Sequence, residues 1–312
     1  MRTRILNNWC FVKTLFEKAQ RQLQSEITNN LTVVSLKMVL LALLLFMTDH
    51  VNIKMWLTVI AVPGLLFKPL VTKWYSWAFI AALCSSWYLV SDLVRYVPNH
   101  KHVYAYTALA ILVVLVSSKK EEVLGRLKDQ ATYIIALCFL FSTIGKFLAP
   151  EFLNGSFIEF TSLTDLRFFG MSSLLGDIDF QILVDNFKNL NELITTNDPN
   201  ASFTLKGVDN LGVIPMIIVY WTILIEGAIA ICFCIPRKYK ISKYRNLVLI
   251  TFILTTYPIA TVTGFAIILV VLGFIQSIEK NKITKYSLFY LLVFILLPLL
   301  KLPFKTYFAF LF

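Results

Sequence analysis

Charged residues are scarce in this chain of 312 residues. They make up 15% of the sequence, whereas about a quarter is usual in soluble globular proteins. Glycine and proline are also few, at 11 and 10, and there are five cysteines and three histidines. This composition excludes a disordered chain, a coiled coil, a disulfide-stabilised secreted domain and an ordinary soluble enzyme.

The chain is instead rich in apolar residues, which form 58% of the sequence and give a mean hydropathy of +0.73. At roughly 20 residues for each spanning helix, the apolar content would supply about nine spans. We therefore predict an all-α, polytopic integral membrane protein with about nine transmembrane helices. Most of the expected spans follow from apolar runs at 31–47, 55–67, 74–90, 103–116, 131–147, 211–235 and 286–300.

A 32-residue apolar block at 246–277 could form one tilted helix or two short ones, with Pro258 and Gly264 near its middle. Cytoplasmic loops carry an excess of Lys and Arg. Two helices place 19 basic residues on one side and 8 on the other, whereas a single span would move three lysines across and weaken the asymmetry. We therefore predict nine spans with the N-terminus inside, and we interpret the net charge of +11 as an orientation signal and not as a sign of nucleic-acid binding.

The first 30 residues carry five basic side chains and apolar residues at helical spacing, such as Trp9, Val12 and Phe16. This pattern predicts an amphipathic helix on the inner membrane interface, with a docking helix for a cytosolic partner as the alternative. Residues 31–312 would then form the helical transmembrane domain.

Residues 151–209 are expected to form an outward loop segment with nine acidic and three basic residues. Within it, the apolar residues from Phe180 to Ile194 predict one amphipathic helix, followed by a polar turn at 197–200. The segment either caps a membrane cavity or is simply solvated. Asp177 and Asp179 lack a third oxygen ligand at matching spacing, so we predict no metal site. None of the five cysteines lies here, so no disulfide is expected.

Ionisable groups within a membrane are costly, which makes them functional candidates. Lys37 is close enough to a span end for its ammonium to reach the surface. Asp92 is expected to pair locally with Arg95. Glu226 lies too deep to reach either surface and must be protonated, paired or facing a wet cavity.

His100 and Lys146 lie at the outward ends of two predicted spans, and hence at the same membrane depth. Desolvation favours the neutral amine of a lysine, which is a usable base, and an adjacent histidine can hold or exchange its proton. The alternative is an interfacial lysine that extends to the headgroups beside a solvated histidine.

Two short motifs carry a family resemblance. Asn99-His100 followed by Tyr104, and then Gly145-Lys146 leading to 152–155, resemble the transmembrane domain of vitamin K-dependent gamma-carboxylases. These belong to the wider horizontally transferred transmembrane (HTTM) domain family. The resemblance is clearest over residues 74–160 and extends more weakly to about residue 275.

In that family the matching lysine is the base that starts the reaction at the quinol, and the matching histidine assists it. The resemblance therefore implies Lys146 and His100 as catalytic residues, and Asn99 and Tyr104 of its motif are expected to support them. Glu226 and Asp92, taken from the ionisable groups in or near the membrane, are further expected supporting residues. Phe152 stands where the family usually has Trp, and we expect no lumenal substrate domain here. What carries over is a pocket for a quinol-type lipid cofactor with a buried base, and not the carboxylation of glutamate.

Two functions remain open. One is a carboxylase-like membrane enzyme, or a subunit of one, that acts on a lipid-soluble cofactor or matures a secreted peptide. The other is a noncatalytic scaffold that binds an exported, outward-facing partner through the acidic segment. Expected partners are membrane lipid and such a peptide or protein. Abundant Lys, Asn, Ile and Phe with few Gly are typical of an AT-rich genome, which favours a bacterial inner membrane.

Overall fold

The computed structural model describes residues 30–47, 50–90, 99–196, 202–257, 259–260 and 262–297, with residues 87–90, 99 and 100 as backbone alone. Within these residues the protein is all-helical, as predicted, with no strand. The predicted N-terminal amphipathic helix, the Asp92–Arg95 pair and the polar turn at 197–200 lie outside the described residues.

The α-helices follow one another along the chain with short connections. They are α1 (Leu31–Phe46), α2 (Val51–Leu66), α3 (Lys68–Val71), α4 (Trp74–Val90), α5 (Asn99–Ser117), α6 (Val123–Phe147), α7 (Pro150–Leu153), α8 (Ser156–Thr164), α9 (Phe169–Gly176), α10 (Phe180–Thr196), α11 (Val208–Leu211), α12 (Ile214–Cys234), α13 (Arg245–Thr256), α14 (Thr263–Ser277) and α15 (Lys285–Leu296). Single 3-10 turns occupy Leu166–Phe168 and Lys240–Tyr244.

Two of the described helices are long and apolar enough to cross a membrane, α6 with 25 residues and α12 with 21. A helix rises 1.5 Å per residue and a bilayer core is about 30 Å thick, so roughly 20 residues are needed. Shorter apolar helices accompany these two: α1, α2, residues 101–117 of α5, α14 and α15. Length and composition therefore make α6 and α12 candidate membrane spans.

The apolar block at 246–277 forms two helices. Helix α13 ends at Thr256 and α14 begins at Thr263, with 12 and 15 residues respectively. The prediction of two short helices is confirmed for the described residues. Every residue from 267 to 278 is buried, as expected for a helix that is apolar on all sides.

The chain divides into two compact units, one of residues 1–131 with 267–312 and the other of residues 132–266. The first unit has a core of large side chains, including the fully buried Trp77, Tyr104 and Tyr290. The indole of Trp77 donates to the Val71 carbonyl at 2.8 Å. The Tyr290 ring packs directly on Gly273, where a Cβ would lie 2.6 Å from the ring.

A cleft of about 700 Å³ opens in the first unit. It lies among the N-terminal end of α1, the α3 region and the connections α5–α6 and α14–α15. We call it the basic cleft, because three lysines and a single carboxylate line it. Its polar lining includes Asn30, Lys68, Lys73, Lys120, Glu121 and Asn281.

The second unit packs short helices against α12. Phe152 of α7, Ile158 of α8 and Met171 of α9 form a buried cluster with Ile218 and Val219 of α12. The region predicted as an outward loop is thus largely helical, from α7 to α11. The predicted amphipathic helix is present as α10.

A second cluster and a buried amide hold α10 in place. Leu183 of α10 packs with Leu163, Ile178 and Leu211. The fully buried Asn186 donates to the carbonyls of Leu163 and Lys206, at 3.1 and 3.0 Å, and accepts from the Lys206 N–H at 3.1 Å. These bonds satisfy the Leu163 carbonyl near the end of α8 and both backbone groups of Lys206, which lies in a connection without regular structure.

A buried arginine completes the C-terminal end of α12. Arg245 is 6% exposed. Its guanidinium donates to the carbonyls of Cys232 at 2.8 Å and Phe233 at 3.3 Å, and also to that of Ile235. The last carbonyls of a helix have no partner within the helix and carry its negative dipole end. Arg245 therefore stabilises α12 and fixes the start of α13.

Candidate functional site

The candidate site lies between α6 and α12, the two helices long enough to cross a membrane. Lys146 is the penultimate residue of α6, and Glu226 lies near the middle of α12. The Lys146 Nζ is 2.6 Å from the Glu226 Oε2. Two of the residues singled out in the sequence therefore form one ion pair.

A hydroxyl closes this pair into a triangle. Lys146 Nζ donates to Ser142 Oγ at 2.7 Å, and Ser142 Oγ donates to Glu226 Oε2 at 2.8 Å. These directions are chemically consistent, because an ammonium only donates hydrogen bonds, an ionised carboxylate only accepts them and a hydroxyl does both. Ser142 thus orients the Lys146 ammonium and the Glu226 carboxylate toward each other.

The local sequence explains why Lys146 points toward its own helix. Side chains in an α-helix tilt toward the N-terminus, so residues four apart lie one above the other. Lys146 and Ser142 have this spacing, and Cys138 continues the same face. On α12, Gly227 follows Glu226, and a Cβ there would lie 3.9 Å from Thr143 Cγ2. An added Cβ at Gly227 would therefore make only an ordinary van der Waals contact with α6.

The ammonium also contacts an aromatic ring. Lys146 Nζ lies 5.4 Å from the centroid of the Phe152 ring, within the range of a cation–π contact. Phe152 is itself buried in the cluster beneath α8. Phe152 therefore lies directly against the ammonium of Lys146.

Exposure differs between the two charges. The Glu226 side chain is 9% exposed, while that of Lys146 is 20% exposed. The Glu226 side chain is therefore enclosed, and part of the Lys146 side chain is accessible. This arrangement suits a lysine that meets a ligand and a glutamate that contacts Lys146 and Ser142.

The remaining predicted residues lie elsewhere in the chain. Asn99 and His100 are the first two residues of α5, in the first unit, and only their backbone is described. Tyr104 is fully buried in the core of that unit. Asp92 is outside the described residues. Lys37, in α1, is half-buried.

Sequence reasoning missed Ser142 and did not pair Lys146 with Glu226. The spacing of Ser142 and Lys146 was a usable signal, because residues four apart on a helix are neighbours. For Glu226, pairing was one of three alternatives, and the structure selects it. Its partner lies 80 residues away in the sequence, where no local pattern could identify it.

Within the described residues, no group of three or more His, Cys, Asp or Glu side chains is arranged to hold a metal ion. Asp177 instead adopts a left-handed conformation after α9, and the Asp179 carboxylate accepts from the Gln181 N–H at the start of α10. Asp177 thus forms the turn after α9, and Asp179 binds the backbone at the start of α10.

Comparisons with known proteins give no assignment: no family model matches the chain, and neither a curated protein nor a solved structure matches it.

Proposed function

We propose that this protein crosses a bacterial inner membrane nine times, with its N-terminus on the inner side. The composition, the two long apolar helices and the charge asymmetry of 19 against 8 support this topology. The break between α13 and α14 supports counting two passes there.

The basic cleft supports the same topology. Its lining residues Asn30, Lys68, Lys120 and Asn281 come from four separate segments, and each is expected on the inner side. If residues 246–277 made a single pass, Asn281 would be expected on the opposite side from the other three. Their common cleft favours two passes.

Within this topology we propose a membrane enzyme, or the membrane subunit of one, in which Lys146 is the base. The observation that carries the proposal is the Lys146–Glu226 ion pair at 2.6 Å between α6 and α12. Charges within a membrane are costly and mark functional sites more often than structural ones. A partly exposed lysine side chain held by an enclosed carboxylate is a suitable arrangement for proton transfer.

The proposed step begins when the proton between Nζ and Oε2 moves to Glu226, which leaves a neutral amine at Lys146. The amine then takes a proton from an O–H or C–H group of the substrate. The ammonium that results faces the substrate anion, while Glu226 is neutral, so the total charge is unchanged. Ser142 and Phe152 hold the Nζ in position during both transfers.

The substrate class follows from location and resemblance. A base near the outward end of α6 suits a quinol-type lipid cofactor or a secreted peptide. The HTTM resemblance assigns the matching lysine the same role, with His100 as its assistant. Tyr104, Asn99 and Asp92 remain proposed supporting residues.

A noncatalytic scaffold is the second candidate. Leu174 and Leu175 at the end of α9 are 82% and 56% exposed, and Ile194 of α10 is 65% exposed. Apolar side chains on an acidic, outward segment suit an exported partner with basic and apolar groups. In this case the ion pair would serve only to join α6 to α12.

Replacement of Lys146 by arginine separates the two functions. Arginine keeps the charge but is not a usable base at neutral pH. Cells that produce wild type, Lys146→Arg or the exposed control Lys188→Arg at equal levels would be compared by mass spectrometry of exported peptides and extracted quinones. A mass change that requires wild type or the control, and disappears with Lys146→Arg, supports the enzyme. Identical masses in all three strains would refute it and favour the scaffold.

A further inference from the structure

The basic cleft has features that the proposed reaction does not use. Lys68 begins α3, Lys73 follows α3, and Lys120 lies between α5 and α6. All three line one cavity together with Glu121. Three ammonium groups against one carboxylate leave an excess of positive charge. Such a cavity attracts an anion.

Two of these lysines are free to bind a ligand. Lys68 Nζ donates to Asn30 Oδ1 at 2.9 Å. For Lys73 and Lys120, the described part of the chain provides no carboxylate within salt-bridge distance. Both residues are exposed, and both line the cleft. Their charges are therefore available.

The N-terminal end of α1 adds to the positive potential. Leu31, Thr32 and Val33 of its first turn line the cleft, and the Asn30 side chain does not cap this turn. The first N–H groups of a helix lack partners within the helix and carry its positive dipole end. An anion in the cleft would meet both lysines and these N–H groups.

Apolar side chains form another part of the cleft lining, which we call the apolar wall. Leu115 near the end of α5, and Val123 and Leu124 at the start of α6, line it. A free phosphate makes no favourable contact with apolar side chains, whereas the glycerol and upper acyl carbons of a lipid pack against them. A volume of about 700 Å³ is in the range of sites for organic ligands and not of a single small ion.

We propose that the basic cleft binds the phosphate headgroup of an anionic phospholipid from the inner leaflet. The lysines bind the phosphate and the apolar wall contacts the glycerol and the first acyl carbons. Basic pockets between helices on the inner side of a membrane favour such headgroups. This inference uses the proposed topology for the choice of leaflet, but it does not depend on the reaction at Lys146.

The test measures lipid binding to the purified full-length protein in detergent, where membrane sidedness plays no part. Native mass spectrometry and thermal unfolding would be recorded with phosphatidylglycerol, with phosphatidylcholine and with inorganic phosphate. We expect binding and stabilisation by phosphatidylglycerol in preference to the other two. Equal stabilisation by inorganic phosphate would overturn the assignment to a lipid.

Substitution of the lysines in the cleft, compared with substitution of lysines outside it, tests the site itself. Lys68→Gln, Lys73→Gln and Lys120→Gln combined should weaken phosphatidylglycerol binding by at least about tenfold, since each lysine near an anionic surface contributes roughly a fivefold factor. The matched control combines Lys54→Gln, Lys119→Gln and Lys188→Gln, which are exposed lysines outside the cleft. It should stay within about twofold of wild type. Unchanged binding by the cleft variant, or an equal loss in the control, would refute the proposal.

If the triple variant does not fold, Lys73→Gln with Lys120→Gln leaves the Lys68–Asn30 hydrogen bond intact. This double variant should still weaken phosphatidylglycerol binding by at least about fivefold. Binding equal to wild type in a folded double variant would overturn the inference.

Discussion

Lys146 Nζ turns back along α6 to meet the Glu226 carboxylate at 2.6 Å, and these two residues are 80 positions apart in the sequence. A lysine that extended to the headgroups would point away from its helix instead. The ammonium therefore binds groups of the protein, Glu226 and Ser142, and does not extend to a membrane surface. Substitutions at Lys146 and Glu226 test this contact.

Removal of one charge from this pair should be much more harmful than removal of both. Glu226→Gln leaves the ammonium without its counterion, and we expect a loss of about 3 kcal/mol, as for other buried pairs that lose one partner. Lys146→Met combined with Glu226→Leu should recover most of this loss, because no charge is left buried. Thermal unfolding in detergent measures both effects.

Glu192→Gln serves as the control, since Glu192 is an exposed residue of α10. Its effect should be within about 0.5 kcal/mol. A double variant as unstable as Glu226→Gln would show that the charges themselves are not the source of the penalty.

Asn186→Ala should loosen α10 from its unit. It removes two donated bonds and one accepted bond and leaves the groups of Leu163 and Lys206 without that partner, at an expected cost of about 1–3 kcal/mol. Limited proteolysis should then cleave residues 150–211 faster than in wild type. Asn191→Ala, at an exposed position of the same helix, should leave the cleavage rate unchanged.

Two helical glycines should respond in opposite directions to alanine. At Gly273 a Cβ would lie 2.6 Å from the buried Tyr290 ring, and overpacking of this kind costs about 1–3 kcal/mol. At Gly125 nothing lies within 4 Å, so alanine should stabilise α6 by roughly 0.5 kcal/mol. Unfolding midpoints of the two variants give the comparison, and a gain in Gly273→Ala would contradict the packing.

Arg245→Met should destabilise the junction of α12 and α13. The carbonyls of Cys232, Phe233 and Ile235 would lose their donor, with an expected loss of about 2 kcal/mol. Arg126→Met is the control, because Arg126 is exposed and its contact with Glu122 is 3.7 Å long. Equal melting temperatures for the two variants would argue against this role.

The proposed topology predicts which lysine positions are accessible from outside intact cells. The variant Lys188→Cys should react with a membrane-impermeant maleimide in intact cells. The variants Lys119→Cys and Lys282→Cys should react only after permeabilisation. The wild-type protein provides the background. Labelling of Lys282→Cys from outside would show that residues 246–277 cross once.

The helices themselves were predictable, because apolar runs and turn residues are local signals. The interruption near Pro258 and Gly264 and the amphipathic helix from Phe180 are examples. The charge pair was not predictable, since contacts between α6 and α12 depend on how distant segments pack. The extra helices α7, α8 and α9 were missed because they are short and their apolar residues pack against α12 without a long periodic pattern.

The complete burial of residues 267–278 has a consequence for the length of α14. A helix of 15 residues is about 22 Å long, several ångströms short of a bilayer core. Hydrophobic mismatch acts only on helices that touch annular lipid. Because protein covers residues 267–277 of α14, this part of the helix is free of that constraint, and bilayers of different thickness should leave it unchanged.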